Sequence, residues 1–437
     1  LESSLNLHAY ALRGPSTESA ATPSRRDDRV TCFFLTLPLI AGIFLSRFAL
    51  PLFHSQLALP LLVIVASIVG LAAIGRLRVH LPRLILFTVT IAAMMTAAVL
   101  GGAGQVSATS FVLMAVLYLG YVFVVDGDEV TYASVIAAFR RIYLIVAIAG
   151  IAQFLGQIVV RGPTLFTFRG FIPDAFLALE YNYVDPTDFL PGFYKSNGFF
   201  LPEPSIFGQL MGLALITEVL FFRPSYRLFV VGLALFVSFS GTGAVLCLLF
   251  IPLLLLRQGN PVLLLLAAGL AVLLVIFAGS PYLAPYLDRF GEFGSTYSSG
   301  FARFLSPFYL FNDFIFTSTR NTLFGLGPGA IKAFFNNYYT EVHDPTWGKL
   351  FFEYGLVGTL PFSLFVTCCF FADAPVKPLA GALFFNWLLL GGYLLSPPIA
   401  GLILPLAVWH RRVRMTAAGR ARERSLPPAT RIAGSAA

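Results

Sequence analysis

Long apolar runs, separated by charged, proline-rich or glycine-rich breaks, repeat along this chain from Val30 to Trp409. Seven of them are near the length that crosses roughly 30 Å of hydrocarbon as a helix: residues 31–50, 57–74, 84–101, 108–125, 142–160, 205–222 and 261–279. A further run covers 350–372. Two longer stretches, 228–256 and 379–409, are interrupted near their middles by Ser240-Gly241-Thr242-Gly243 and by Ser396-Pro397-Pro398. Glycine and proline punctuate helices, so each long stretch is read as a pair of short helices and not as one span. The pattern predicts an all-α polytopic membrane protein of about twelve transmembrane helices.

Composition agrees: 57% of the 437 residues are hydrophobic, 11% are charged and the mean hydropathy is +0.82, far from a soluble domain. The basic residues orient the spans. With the N-terminus inside, the inward segments collect Arg13, Arg25, Arg26, Arg29, Arg76, Arg78, Arg83, Arg140, Arg141, Arg223, Arg227, Arg257, Lys377 and the arginines after His410. Treating 228–256 as a single span would reverse every later loop and turn the basic C-terminal segment outward. The net charge of +8 therefore marks orientation and affinity for anionic lipid, and excludes a nucleic-acid footprint.

Residues 1–30 are expected to form a disordered cytoplasmic tail, 31–410 a single membrane domain, and 411–437 a basic cytoplasmic tail. Cys32, Cys247, Cys368 and Cys369 all fall in apolar runs, which argues against a disulfide framework or a thiolate metal site. Two connections stand out by length, about 161–204 and about 280–349, and both face outward. Loops of that size in a compact membrane domain are where function is sought. Their many aromatics suit an interfacial belt, and also the C–H faces of sugar rings.

Of five histidines, only His343 lies in a long outward loop; a histidine can take a proton from a sugar hydroxyl near neutral pH, and Asp344 can orient it. Arg303, Arg320 and Lys332 are in the same loop, and arginine forks match phosphate oxygens. In the first loop, Lys195 stands just before the membrane surface and Glu203 precedes Pro204 at a helix start, where a carboxylate is also sound capping chemistry. Glu218, deep in the following span, is expensive in lipid and so a functional candidate by default, with simple pairing to the nearby inward Arg223 as the alternative. Asp126-Gly127-Asp128 is read as an inward turn, and Gly325, Gly327 and Gly329 as a turn without the strand a phosphate cradle needs. The turn Pro51–Gln56 has no acidic residue of the kind metal-using lipid-linked glycosyltransferases place there.

These residues together carry a resemblance. The helix entry Gly198-Phe199-Phe200-Leu201-Pro202-Glu203-Pro204-Ser205, the Ser240-Gly241 pair, Arg303, the turn at Gly325 and the run from His343 to Gly355 and Gly358 resemble the superfamily of bacterial O-antigen ligases and Wzy-type polysaccharide polymerases, and are most similar to xanthan-type gum polymerases. The resemblance implies a GT-C-like fold with two long periplasmic loops in the bacterial inner membrane, both termini cytoplasmic. It implies transfer of a glycan from undecaprenyl pyrophosphate to a sugar hydroxyl of another unit, without metal or cofactor. His343 and Arg303 would be catalytic, and Lys195, Glu203, Arg320, Lys332 and Asp344 would bind substrate. Partners would be the undecaprenyl-pyrophosphate-linked oligosaccharide, membrane lipids, and flippase and chain-length or export proteins, with no nucleic acid. Three departures stand: Lys195 occupies a position where the family commonly has arginine, Asp344 follows the histidine where Asn, Ser or Gln is usual, and the spacing from His343 to Gly355 and Gly358 is one residue longer than in the ligases, which moves the balance towards polymerase. The rival readings are a ligase delivering glycan to lipid A core, a flippase or other transporter, and a noncatalytic assembly subunit. Against a transporter, the polar residues gather in two outward loops and not along a midplane path.

Overall fold

The computed structural model describes residues 25–52, 55–101, 106–126, 129–178, 181–187, 190–258, 299–335 and 345–410. The expected span at 261–279 and both tails, apart from residues 25–30, lie outside them. The first eight helices are α1 (Arg25–Phe44), α2 (Leu59–Ala73), α3 (Leu81–Gly101), α4 (Ala108–Leu119), α5 (Glu129–Gly156), α6 (Pro204–Phe221), α7 (Tyr226–Val237) and α8 (Gly241–Gln258). The second long connection carries short helices, α9 (Ser299–Phe304), α10 (Ser306–Leu310), α11 (Thr319–Phe324) and α12 (Ile331–Phe335). Then come α13 (Thr346–Phe371), α14 (Lys377–Leu389) and α15 (Pro397–Ile403), the last continued by a π-turn over Leu404–Val408. Two small antiparallel pairs, Ala49–Leu52 with Ser55–Ala58 and Leu77–Val79 with Phe123–Val125, close loops at the helix ends.

Four described helices are long and apolar enough to cross a membrane: Leu81–Gly101, Val130–Gly156, Pro204–Phe221 and Thr346–Phe371. The outward faces of α3, α5 and α13 are apolar too, as Ile85, Val89 and Val99 on α3, Ile148 on α5 and Leu360 on α13 show; Val99 is 76% exposed. Such a stripe has no place in water and belongs against lipid. Both long apolar stretches are broken where glycine or proline interrupts them. α7 ends at Val237 and α8 begins at Gly241, with Phe239 at φ +49° between them; α14 ends at Leu389 and α15 begins at Pro397. The fifth span starts earlier than its apolar run suggests, so Arg140 and Arg141 lie inside α5 and not in a loop. α1 likewise begins at Arg25, inside the stretch expected to be a tail.

Charged residues gather at one end of the bundle. Asp28 pairs with Arg76 at 3.1 Å, Asp126 pairs with Arg78, and Asp373 receives Arg83 at 3.5 Å and His80 at 3.4 Å. Arg83 also donates to the Val408 carbonyl at 2.9 Å, tying α3 to the end of the chain's last described helix. Glu218 does not pair with Arg223. It accepts both ends of the Arg140 fork, at 2.8 and 2.7 Å, and the Tyr143 hydroxyl at 2.8 Å, across the α5–α6 interface. The sequence neighbour loses because Arg223 lies past the end of α6, whereas Arg140 faces Glu218 from the adjacent helix.

The other end holds the long loops, and a glycine crossing anchors the second one. Gly325 (φ +69°) and Gly355 (φ +56°) press backbone on backbone: a Cβ on Gly355 would lie 2.5 Å from Gly325 N, and one on Gly325 would lie 2.5 Å from Glu353 C. Only glycine adopts these angles without strain. Gly355 kinks α13, and the Phe352 and Glu353 carbonyls accept from Leu326 N (3.0 Å) and Gly327 N (2.9 Å). The glycine run is thus a turn clamped to a kinked helix.

Candidate functional site

The first loop is built on two glutamines near the end of α5. Gln153 donates to the Leu165 carbonyl and Asn197 Oδ1, both at 2.8 Å, while its own oxygen accepts from Ser196 Oγ (2.8 Å) and Asn197 N (3.1 Å). Gln157 clasps the Tyr194 backbone by donating to its carbonyl (3.0 Å) and accepting from its amide (2.7 Å). From the other side Arg47, fully buried, donates to the carbonyls of Leu201 and Phe166 and lies against the rings of Phe168 (5.1 Å) and Tyr183 (5.0 Å). Burial pushes the Tyr183 phenol up to about 12, a rise opposed by Arg47 and Arg169. These contacts fix the turn at Gly198 and Phe199, both at positive φ, and deliver Glu203 to the N-terminus of α6.

Lys195 and Glu203 have different surroundings. Lys195 is buried and paired with Asp185 at 3.0 Å, so its charge is committed inside the loop. Glu203 is half-buried at the N-cap of α6 and makes no capping bond to the helix; its carboxylate accepts from Ser205 Oγ at 2.9 Å.

Arg303 and Glu203 share a neighbour that sequence reasoning missed. Tyr393 sits in the break between α14 and α15, and Arg303, Glu203 and Tyr181 are all close enough to its phenol to act on it electrostatically. Its hydroxyl donates to Gln209 Oε1, and Gln209 in turn donates to Thr242 Oγ1 (3.0 Å) and to the Leu390 carbonyl (3.2 Å). Thr242 meets Ser240 at 3.0 Å. The Tyr393 amide donates to Thr346 Oγ1 at 3.0 Å, and Thr346 donates to the Gly391 carbonyl at 3.1 Å. The start of α13, three residues after His343, is thereby bonded to the residue on which Arg303 acts electrostatically.

Arg303 itself, half-buried on α9, makes no hydrogen bond and no ion pair among the described residues. No described residue takes any of its five donors. Arg320 is placed elsewhere, its Nε donating to the Leu100 carbonyl at 2.7 Å where it caps the end of α3. Lys332 is exposed on α12. His343 and Asp344 lie outside the described residues. Just beyond them, Lys349 and Glu353 form a buried pair at 3.9 Å on the first turns of α13.

A narrow cavity of about 20 Å³ lies below this cluster, between α1, α6, α14 and α15. Its wall is mainly apolar, with Ser46, Tyr181, Gln209, Asn386 and Ser396 as the polar members. Asn386 is 2% exposed and its Oδ1 has no hydrogen-bond partner among the described residues. Gln209 and Asn386 carried a signal in the sequence, as carboxamides inside apolar runs. Tyr393 and Thr346 carried none, since each matters through contacts far apart in the chain.

A family model described as WcaD colanic acid polymerase matches residues 36–333. The match takes in Lys195, Glu203 and Arg303 and ends ten residues before His343. No curated protein and no solved structure matches the chain.

Proposed function

The chain belongs to the colanic acid polymerase family, and on that premise we propose that it joins lipid-linked oligosaccharide repeat units in exopolysaccharide synthesis. The donor is a glycan on a polyprenyl pyrophosphate, taken to be undecaprenyl pyrophosphate. The oxygen of an acceptor sugar hydroxyl attacks the reducing-end carbon of the donor glycan, the bond from that carbon to phosphate breaks, and polyprenyl pyrophosphate leaves with its electron pair. His343 takes the hydroxyl proton. Arg303 holds the departing diphosphate, where a planar fork stabilises charge that grows as the bond breaks.

The observation that carries this reading is a half-buried arginine with no hydrogen bond or ion pair among the described residues, within electrostatic range of Tyr393, on which Glu203 also acts. A structural arginine looks different in the same molecule: Arg47 and Arg140 have their forks occupied by carbonyls or a carboxylate. Glu203 borders the donor glycan and Tyr393 fixes the start of α13. Lys195, held by Asp185, orders the loop and reaches phosphate only by exchanging that partner. The loop end faces the periplasm and the charged end the cytoplasm, as the excess of basic residues directs.

The test is incubation of purified protein with lipid-linked repeat alone. Wild type gives a ladder of products, each one repeat longer, without a gradient or a lipid A acceptor; His343→Ala and Arg303→Ala leave single units unextended. Normal ladders from both variants would sink the site assignment, and no ladder from wild type would sink the polymerase reading.

A further inference from the structure

The cavity under Tyr393 contains an unanswered hydrogen-bond acceptor. Asn386 Oδ1 is buried with no partner among the described residues, although Asn386 sits on α14 with α1, α6 and α15 packed around it. Leaving such an acceptor dry costs about 1–3 kcal/mol, so a bundle that retains it has something to offer it. The opposite wall includes Gln209, whose amide and oxygen are already used by Thr242, Leu390 and Tyr393, and which therefore cannot turn to satisfy Asn386. Ser46 is also committed, to the carbonyls of Ile43 and Phe200. Among the described residues no donor reaches Asn386 Oδ1, and a donor from outside the protein would satisfy it.

The proposed substrate has three chemical parts, and only one of them fits. The isoprenoid chain has no polar hydrogen. The diphosphate is ionised at neutral pH and offers acceptors only. The saccharide offers hydroxyl donors on a framework whose C–H faces suit the surrounding leucine and proline walls. A volume of about 20 Å³ takes a hydroxyl or hydroxymethyl arm and not a whole ring. Tyr181, which lines the cavity and also lies within electrostatic range of Tyr393, joins this space to the Arg303 cluster.

We propose that the cavity lined by Ser46, Tyr181, Gln209, Asn386 and Ser396 is a saccharide subsite, in which Asn386 Oδ1 accepts a hydrogen bond from a hydroxyl arm of the repeat unit. The inference rests on the polymerase reading and adds to it a residue that selects the sugar: a repeat lacking that hydroxyl leaves the acceptor unpaired and is rejected. Selection of this kind is stronger than selection by shape, because a buried site built for a hydroxyl penalises its absence.

Binding of two probes to the full-length protein in detergent separates the possibilities: the lipid-free repeat-unit oligosaccharide, and undecaprenyl diphosphate. Asn386→Leu should weaken the oligosaccharide about tenfold and leave undecaprenyl diphosphate unchanged. Ser396→Leu, which fills the cavity from another element, should do the same and guards against a folding defect in the first variant. If neither probe is affected by either variant, the cavity holds a structural water and the inference fails. If undecaprenyl diphosphate alone is weakened, the site belongs to the lipid and the inference also fails. The wild-type ladder assay reports on the polymerase reading independently of both outcomes.

Discussion

Replacing Arg303 with lysine keeps a positive charge and removes the planar fork, which makes it the sharpest probe of the proposed role. Because Arg303 has no hydrogen bond or ion pair among the described residues, the substitution should leave folding alone: a melting temperature in detergent within about 1 °C of wild type. Activity should not be spared. A hydrogen bond to a charged group contributes about 1.5–3 kcal/mol, and lysine forfeits at least one of the two that a fork makes to a diphosphate. That corresponds to a loss of roughly 10- to 100-fold in kcat/KM, and Arg303→Ala, which loses both, should lie roughly 10²- to 10⁴-fold below wild type. The assay is single-turnover extension of a labelled lipid-linked repeat by excess enzyme, with melting followed on the same preparation. Arg47→Ala is the contrast, since it strips the bonds that hold the Phe166 and Leu201 carbonyls and should cost about 3 kcal/mol of stability. Lysine at 303 working as well as arginine, or Arg303→Ala unfolding the protein as Arg47→Ala does, would refute the diphosphate role.

Three other outcomes follow from the packing. Glu218→Leu leaves Arg140 and Tyr143 without their carboxylate and should cost about 3 kcal/mol, whereas Glu218→Leu with Arg140→Met should recover most of it; thermal melts of wild type, both single variants and the double variant decide, and losses that simply add would mean that the pair is not coupled. Gly355→Ala forces a Cβ into the Gly325 and Leu323 backbone at 2.5 Å and should cost about 3 kcal/mol or more, seen as a lower melting temperature and reduced ladder yield; a wild-type melting temperature would contradict the crossing. His410, fully buried at the charged end, has its pKa pulled down to about 4 by burial, so folding holds it neutral. Stability from this group is complete above about pH 6.5 and falls as pH drops towards 4, by about 3 kcal/mol in all; His410→Phe should flatten that acid limb of the melting curve, and an unchanged limb would assign it to other groups.

The features legible in the sequence are those written into adjacent residues. Ser240-Gly241 and Ser396-Pro397-Pro398 mark the two helix breaks because glycine and proline change the backbone where they stand. The Glu203-Pro204 entry gave the start of α6 for the same reason. Residues whose meaning depends on distant partners were harder to read. Glu218 looked towards Arg223, five positions on, because sequence offers no measure of distance across a helix pair, and its partner lies 78 positions back. Lys195 resembled a free cation because Asp185 stands in irregular loop, ten residues earlier, with no periodicity to bring the two together. Arg303 stood out as a cation in a loop, but that it has no hydrogen bond or ion pair among the described residues and acts electrostatically on Tyr393 is tertiary information.

The breaks also explain how a cationic site can be held rigidly at the edge of an apolar bundle. Interrupting a helix frees carbonyls and amides that lipid cannot satisfy, so broken helices persist only where protein or a cavity supplies partners. Here the freed groups are used as ties. The carbonyl of Leu390 takes Gln209 from α6, the carbonyl of Gly391 takes Thr346 from α13, and the amide of Tyr393 returns to the same threonine. Gln209 then reaches Thr242 beside the other break. Two interruptions that would each weaken a transmembrane helix alone are cross-linked through one glutamine and one threonine. The cost of unwinding is thereby converted into a fixed position for Tyr393 relative to α6 and α13. Arg303, on α9 and within electrostatic range of that tyrosine, spends none of its donors on the described residues, as the proposed diphosphate role requires.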